Sequence, residues 1–442
     1  MRPPAALNRR GFVMGGLAGL GLTALPRPAL AKPDRAGAVL GNWYRLLLEL
    51  IRHTATFSPP VAARSFAYLG ITAFEALATG NAALRSLAEQ VAGLGPVPAR
   101  AAGAHDEACV LQAALSHAMA VHFGNTGPTG QRAMQAMTRQ MDALAAKDIA
   151  TDVMDRSRAH GLAVSLHILD WSATDGGAVI ENMGFPYDYT LTEGPAHWVP
   201  TSTIAVQQHP LLPGWGRNRS FAIPADGACG LPPPVAYSED PASAFYAQAM
   251  EVYQTGKSLT DTQKLIARFW SDDPMLSPTP PGHWVAIVLG IFERDATPVD
   301  RQAEALALLG MAISDAFVQC WRSKYEHDLL RPVTYIRRVI DPNWEPLLQT
   351  PPFPEYPSGH SVQSGAAAAV LEALFGRGFG FDDTTHAEDG LPVRSFSSFA
   401  EAAEEAAVSR LYGGIHFPAA NIQGLAQGRC VGAHVLRLNT RA

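Results

Sequence analysis

Apolar residues recur every three or four positions through most of this chain, and that spacing predicts amphipathic α-helices. The pattern covers residues 43–53, 61–77, 108–123, 133–146 and 156–171, enough for one helical bundle. Residues 175–234 break it: they are rich in Gly, Pro and Trp and show little period. A connection that long inside a compact protein is unusual and generally functional. Helical spacing returns at 241–255 and 260–269. After a proline-rich loop at 274–281 it resumes at 283–293, 298–324, 361–375, 398–411 and 418–438. No β-rich run, repeat or βαβ alternation is present. The predicted fold is all-α, two stacked helical bundles: 32–174, then the irregular connection 175–234, then 235–442, which holds the chemistry.

The first residues change the picture of where the chain works. Asn8-Arg9-Arg10-Gly11-Phe12-Val13 has the form of a twin-arginine core. A glycine-rich, weakly apolar run follows, and Ala29-Leu30-Ala31 fits an A-x-A cleavage site. Residues 1–31 are therefore read as a twin-arginine signal peptide, which implies export of a folded chain to the periplasm or beyond. The formal net charge is −6, and the signal peptide carries arginines and no acid, so the mature chain is more acidic still. That argues against nucleic acid or an anionic membrane surface as partner. No later stretch reads as membrane-inserting; a homo-oligomer is compatible with the pattern. The four cysteines, Cys109, Cys229, Cys320 and Cys430, are far apart and form neither a zinc pattern nor a disulfide framework. They read as free or buried thiols, with a single disulfide in an oxidising compartment also compatible.

The candidate chemistry lies in the last third. Pro357-Ser358-Gly359-His360 opens a predicted helix. Gly359 lets the backbone turn and approach a ligand closely. The helix start offers unsatisfied N–H groups and a positive dipole end, so Ser358 and Gly359 can donate to an anion. Lys324 and Arg331, seven apart, would share one face of a helix ending near Arg331, because Pro332 follows. Two like charges on one face repel unless an anion or water lies between them; a solvated charged stripe is the plainer reading of such a pair. Gly413-Gly414 should end a helix after Arg410, leaving His416 on the following loop, so that both can converge on one point.

Taken in order, Lys324…Arg331-Pro332, Pro357-Ser358-Gly359-His360 and Ser409-Arg410…His416 resemble the three-part motif of vanadium-dependent haloperoxidases and type 2 phosphatidic acid phosphatases. Local matches favour the haloperoxidase branch. Trp321 falls where those enzymes place a pocket tryptophan. The segment Thr350-Pro-Pro-Phe-Pro-Glu-Tyr-Pro-Ser-Gly-His resembles one carrying a halide-site phenylalanine, matched by Phe353. Phe269-Trp270-x-x-Asp273 is similar to the stretch whose aspartate fixes the second arginine. Core packing, and for Asp272 and Asp273 a helix-end turn, are the plain alternatives. One position departs from the pattern: family members commonly carry an aspartate four residues after the last histidine, and this chain has Ala420, then Asn421.

The resemblance implies vanadate as cofactor, with hydrogen peroxide, a halide and an organic acceptor as small-molecule substrates and hypohalous acid as product. His416 would ligate vanadium. Lys324, Arg331, Ser358, Gly359 and Arg410 would hold the oxyanion. Asp273 would fix Arg410 in a bidentate pair, His360 would act as acid–base group, and Lys324 would donate to bound peroxide. Trp321 and Phe353 would line the halide pocket. With its aspartate missing, His416 would be held through its second nitrogen by Asn421 or a backbone carbonyl. The runner-up is an exported acid phosphatase with a phosphohistidine at His416, which the loss of that aspartate disfavours; a helical oxyanion-binding protein without catalysis is the third.

Overall fold

Most of the helices start where the sequence supplies a cap or a first-turn proline. The computed structural model describes residues 34–224 and 227–442; the twin-arginine segment lies outside them. The first half contains α1 (Arg35–Arg52), α2 (Pro59–Ala78), α3 (Glu107–His122), α4 (Pro128–Ala145) and α5 (Thr151–Ser172). Asp34 caps α1 and Asp106 caps α3 through their carboxylates, while α2 and α4 begin on prolines. The second half contains α6 (Ala244–Lys257), α7 (Asp261–Phe269), α8 (Thr279–Arg294), α9 (Val299–His327), α10 (Pro332–Val339), α11 (Gly359–Phe375), α12 (Phe399–Tyr412) and α13 (Pro418–Val435). The helical-bundle architecture is as the periodicity predicts.

Three details differ from the sequence reading. A two-stranded antiparallel ribbon, β1 (Phe381–Asp383) with β2 (Arg394–Phe396), follows α11; three-residue strands are too short to leave a period-2 signal. The helix carrying Lys324 ends at His327, with Asp328 in the left-handed region at φ 44°, and Arg331 is the extended N-cap of α10. Lys324 and Arg331 therefore do not share a helix face; a turn brings them together. Finally, α9 is long and apolar enough to cross a membrane by length and composition alone, yet its apolar stretch is wholly buried inside the protein. It is the central core helix, packed against α2 and α11.

The main core runs unbroken from Ala36 to Val435, through both halves of the chain. Residues 34–442 form one compact unit. A smaller second core contains Phe245, Leu330, Tyr335, Tyr356, Phe417 and Ala420. The connection at 175–234 carries only short 3-10 turns among its described residues. It is pinned from within: Asp315, fully buried on α9, accepts from the Phe221, Ala222 and Ile223 N–H groups at 2.7, 2.8 and 3.3 Å. Those donors would otherwise be buried unpaired. Cys229 in the same connection forms a disulfide with Cys430 on α13, with Cα atoms 5.5 Å apart. Cys109 and Cys320 are buried free thiols. The free-thiol expectation therefore fails for one pair of the four.

The placement of α11 depends on how closely α13 approaches it. Gly424, Gly428 and Gly432 recur every four residues along α13 and face α11. A Cβ on Gly428 would lie 2.0 Å from the Val362 carbonyl oxygen, and one on Gly424 would lie 2.9 Å from the Ser358 carbonyl oxygen. Both contacts are to backbone, which cannot rotate away. Gly428→Ala is expected to force the helices apart at a cost of about 1–3 kcal/mol, read as a lowered urea midpoint with unchanged slope. A midpoint equal to wild type would show that the α11–α13 contact is not sterically limited.

Candidate anion-binding active site

The site lies between the two cores. Trp321 and Phe317 belong to the large one, Tyr356 and Phe417 to the small one, and the charged residues fall between them. Lys324 and Arg331 are fully buried and Arg410 is 1% exposed. Such burial of charge is costly unless it is paired or hydrogen-bonded. None of the three makes a salt bridge among the described residues; each is held by neutral oxygens or nitrogens instead.

The Lys324 ammonium donates to the Pro354, Glu355 and Pro357 carbonyls, the first two at 2.9 and 3.0 Å. Arg331 gives Nε to the Phe353 carbonyl at 2.9 Å and Nη1 to the Ile415 carbonyl at 2.8 Å. Its Nη1 also reaches His416 Nε2 at 3.2 Å, and its Nη2 is buried with no partner. Arg410 gives Nε to Ser409 Oγ at 2.9 Å and Nη2 to the Ala267 and Trp270 carbonyls at 3.2 and 2.5 Å.

The backbone nest forms as the helix start predicts. Ser358 caps α11, its Oγ accepting from the Ser361 N–H at 3.4 Å. The Ser358 N–H is taken by the Ala420 carbonyl, while the Gly359 and His360 N–H groups have no partner among the described residues. A Cβ on Gly359 would only touch Trp321 and Phe317 at ordinary van der Waals distance. Its value here is therefore the free N–H at the helix start more than missing bulk.

Burial disfavours charge on both histidines. His416 is 2% exposed, and burial, then the charges of Arg331, Lys324 and Arg410, hold its pKa well below the usual histidine range. Burial and Arg410 do the same to His360, whose Nε2 has no partner. Burial pushes Lys324 down to about 7, with Arg331 adding to the push and Glu355 opposing it. The arginines, drawn down to about 10 by burial, stay charged at neutral pH.

Trp321 and Phe353 stand side by side with ring centroids 4.9 Å apart. The Lys324 ammonium lies 5.2 Å and the Arg331 guanidinium 5.0 Å from the Phe353 centroid. The Trp321 indole N–H is tied to the Leu211 carbonyl at 3.2 Å, so the 175–234 connection braces this wall. Lys324, Arg331, Ser358, Gly359, His360, Arg410, His416, Trp321 and Phe353 thus gather around one small volume.

Asp273 does not join them as expected. It forms no bidentate pair or salt bridge with Arg410, although the two charges lie close enough to act on each other; its carbonyl closes a turn by accepting from Leu276 and Ser277. Carbonyls at the end of α7 hold Arg410 in its place. The buried acid is Asp272, one residue earlier, whose two oxygens take His283 Nδ1 at 2.9 Å and His386 Nε2 at 3.0 Å. Lys324 also departs from its expected role: its three N–H groups are spent on carbonyls, and the open donor is Arg331 Nη2.

Neither Asn421 nor a carbonyl holds the second nitrogen of His416. Asn421 faces Ser361 at 3.5 Å. The partner is Glu355, fully buried, whose Oε1 accepts from His416 Nδ1–H at 2.8 Å and from the Phe417 N–H at 2.9 Å. The missing aspartate after His416 is therefore replaced by a carboxylate from another segment. The one sequence hint was an acid enclosed between Pro354 and Tyr356-Pro357, just before the nest.

Two buried guanidinium groups and the buried Lys324 side chain gather here without an ion-pair partner among the described residues. That set, with unpartnered Arg331 Nη2, two free N–H groups and His416 Nε2, fits a tetrahedral oxyanion bearing an open coordination position. Vanadate meets both requirements; phosphate meets the first.

Known proteins are similar to this chain to different extents. Residues 304–442 match the family described as VCPO second helical-bundle domain. A vanadium-dependent bromoperoxidase of Ascophyllum nodosum is 34% identical over 129 residues. That match covers 25% of this chain and 23% of the algal protein, so the chain spans under a quarter of that relative's length. The crystal structure of a bacterial vanadium-dependent iodoperoxidase superposes with a TM-score of 0.82 at 35% identity, covering 92% of this chain and 97% of that one. A holo bacterial vanadium-dependent chloroperoxidase superposes with a TM-score of 0.68 at 17% identity, over 86% and 93% of the two chains, and shares the fold.

Proposed function

The chain belongs to the vanadium-dependent haloperoxidases, and from that premise we propose that it oxidises halide with hydrogen peroxide to hypohalous acid. One observation carries the assignment of the site: two buried guanidinium groups and the buried Lys324 side chain, with no ion-pair partner among the described residues, surround a carboxylate-held histidine. Vanadate is the cofactor. Arg331, Arg410, Ser358 and the Gly359 N–H would hold its oxygens, Lys324 beside the Phe353 ring would contribute charge, and His416 Nε2 would be the ligand to the metal. When bound, the cofactor supplies a Lewis-acid centre that activates peroxide toward halide without a change of oxidation state.

The residues do the rest. Charge-assisted hydrogen bonds contribute about 1.5–3 kcal/mol each, so the set can retain a dianion. The net reaction converts one halide, one peroxide and one proton to one hypohalous acid and one water. His360, with Nε2 open, is placed to take up that proton and pass it on to the reacting oxygen. Trp321 and Phe353 offer an apolar, cation-backed wall against which a weakly hydrated halide rests. The iodoperoxidase and bromoperoxidase relatives support iodide and bromide as the first halides to assay. Export by the twin-arginine route is part of this reading, and the Cys229–Cys430 disulfide supports an oxidising compartment.

Purified protein, stripped and then supplied with vanadate, is expected to iodinate or brominate a phenol dye only with peroxide present, and phosphate should compete. Ester hydrolysis inhibited by vanadate, with no halogenation at any pH, would replace this reading by the phosphatase one. Glu355 supplies the carboxylate that the missing aspartate seemed to deny, so this assay decides between the two where Ala420 does not.

A further inference from the structure

We infer that Glu355 is the positioning residue for the metal-ligating nitrogen of His416, and that it sets which ring nitrogen carries the proton. The inference rests on the haloperoxidase reading only for what His416 binds; the tautomer itself is a property of this chain.

The geometry leaves one arrangement. His416 Nδ1 lies 2.8 Å from Glu355 Oε1, which also accepts from the Phe417 N–H. Arg331 can only donate, so the 3.2 Å contact at Nε2 requires a lone pair there. With the Nε2 lone pair taken by Arg331, the ring proton sits on Nδ1 and is donated to Glu355 Oε1. One acceptor on one side and one donor on the other select the Nδ1–H tautomer. They aim the Nε2 lone pair toward the cations.

Glu355 is itself over-determined. Its N–H donates to the Leu329 carbonyl at 2.9 Å, its own carbonyl accepts from Lys324 at 3.0 Å, and Oε1 also accepts from the Phe417 N–H. One residue therefore joins three distant segments: the α9–α10 turn, the approach to the nest, and the His416 loop. Its Oε2 is buried without a partner. The acid comes from upstream of the nest, whereas the family pattern places it four residues after the histidine. The change of position leaves Ala420 free to pack in the second core, with its carbonyl holding the Ser358 N–H.

The test uses Glu355→Gln and Glu355→Ala in the full-length protein, with folding checked by circular dichroism. In ¹⁵N-histidine-labelled wild type without vanadate, His416 is expected to show a protonated Nδ1 and an unprotonated Nε2. Glu355→Gln should keep this tautomer, because the Phe417 N–H pins the amide oxygen where Oε1 now lies. Glu355→Ala should lose it. Vanadate affinity, measured by titration calorimetry, should weaken by about 10–100-fold in Glu355→Ala, the usual loss when a ligand's orienting partner is removed. The loss in Glu355→Gln should be below tenfold. A folded Glu355→Ala with the wild-type tautomer and affinity overturns the inference. Should the alanine variant not fold, a Glu355→Gln ring protonated at Nε2 overturns it instead. Failure of wild type to bind vanadate would count against the haloperoxidase reading alone, since the tautomer is read without vanadate.

Discussion

His416→Ala is expected to abolish vanadate-dependent halide oxidation while leaving the protein folded. The side chain occupies the end of a hydrogen-bonded row, Glu355–His416–Arg331, and removing it deletes the one uncharged ligand with a lone pair aimed among the cations. Losing only an orienting partner costs about 10–100-fold in metal affinity, so losing the ligand itself should exceed the upper end of that range. The remaining cations still attract an oxyanion. Phosphate should therefore bind the variant with an affinity near wild type, while vanadate loses its advantage and binds like phosphate. The comparison is made by titrating both anions calorimetrically into wild type and variant. If the variant kept tight vanadate binding together with dye bromination, His416 would not be the ligand. Glu355 then remains as a buried carboxylate with the Phe417 N–H as its partner, so some loss of stability should accompany the change.

Most of this site was legible in the chain because its chemistry is carried by residue types at fixed intervals. Two glycines after Arg410 announced the helix end that frees His416, and Ser358-Gly359 before an alanine-rich run announced the nest. The misreadings came where local rules meet tertiary structure. Spacing placed Lys324 and Arg331 on one helix face, but Asp328 adopts a left-handed conformation at φ 44° and turns the chain between them. Nothing about an isolated aspartate predicts that turn. Asp273 looked like the arginine partner by alignment of a short motif; a shift of one residue makes Asp272 the buried acid, and backbone carbonyls hold Arg410. Glu355 was missed because the bond it makes spans 61 residues and periodicity is blind to long-range pairs. The ribbon residues 381–383 and 394–396 were missed for a related reason: they gain their order by packing Phe381 and Phe396 against α12 and α8, not from strand propensity.

The largest stability effect should come from Asp272→Ala. Asp272 is the centre of a buried row of alternating charge: Asp383, His283, Asp272, His386, Asp389. Successive N···O distances are 2.7, 2.9, 3.0 and 3.1 Å, and Arg52 pairs with the outer end. His283 has a carboxylate at each ring nitrogen and is fully buried; burial alone would depress its pKa, but Asp272 and Asp383 outweigh it and raise it to about 10. Burial alone would raise the Asp272 pKa, and His283 and His386 outweigh it, holding that carboxyl well below its ordinary 3.8. Removing one member of a buried pair typically costs about 3–5 kcal/mol, because the partner is left charged and unpaired. The pH window follows from the signs. The histidine part of the stabilisation is complete below the unfolded pKa of 6.5 and is lost as pH rises through about 10. The aspartate part is complete above 3.8 and is lost on acidification. The gap between wild type and variant should thus be widest near pH 5.5 and narrow by pH 9.5, as read by urea melts at both. A gap under about 1 kcal/mol, or one independent of pH, would mean the row carries no net stabilising charge. Function should follow stability here. Trp270 stacks on His283 with centroids 4.4 Å apart, and its carbonyl holds Arg410. Loosening that stack releases one of the two guanidinium groups, so vanadate affinity should fall in the same variant even at temperatures where it remains folded.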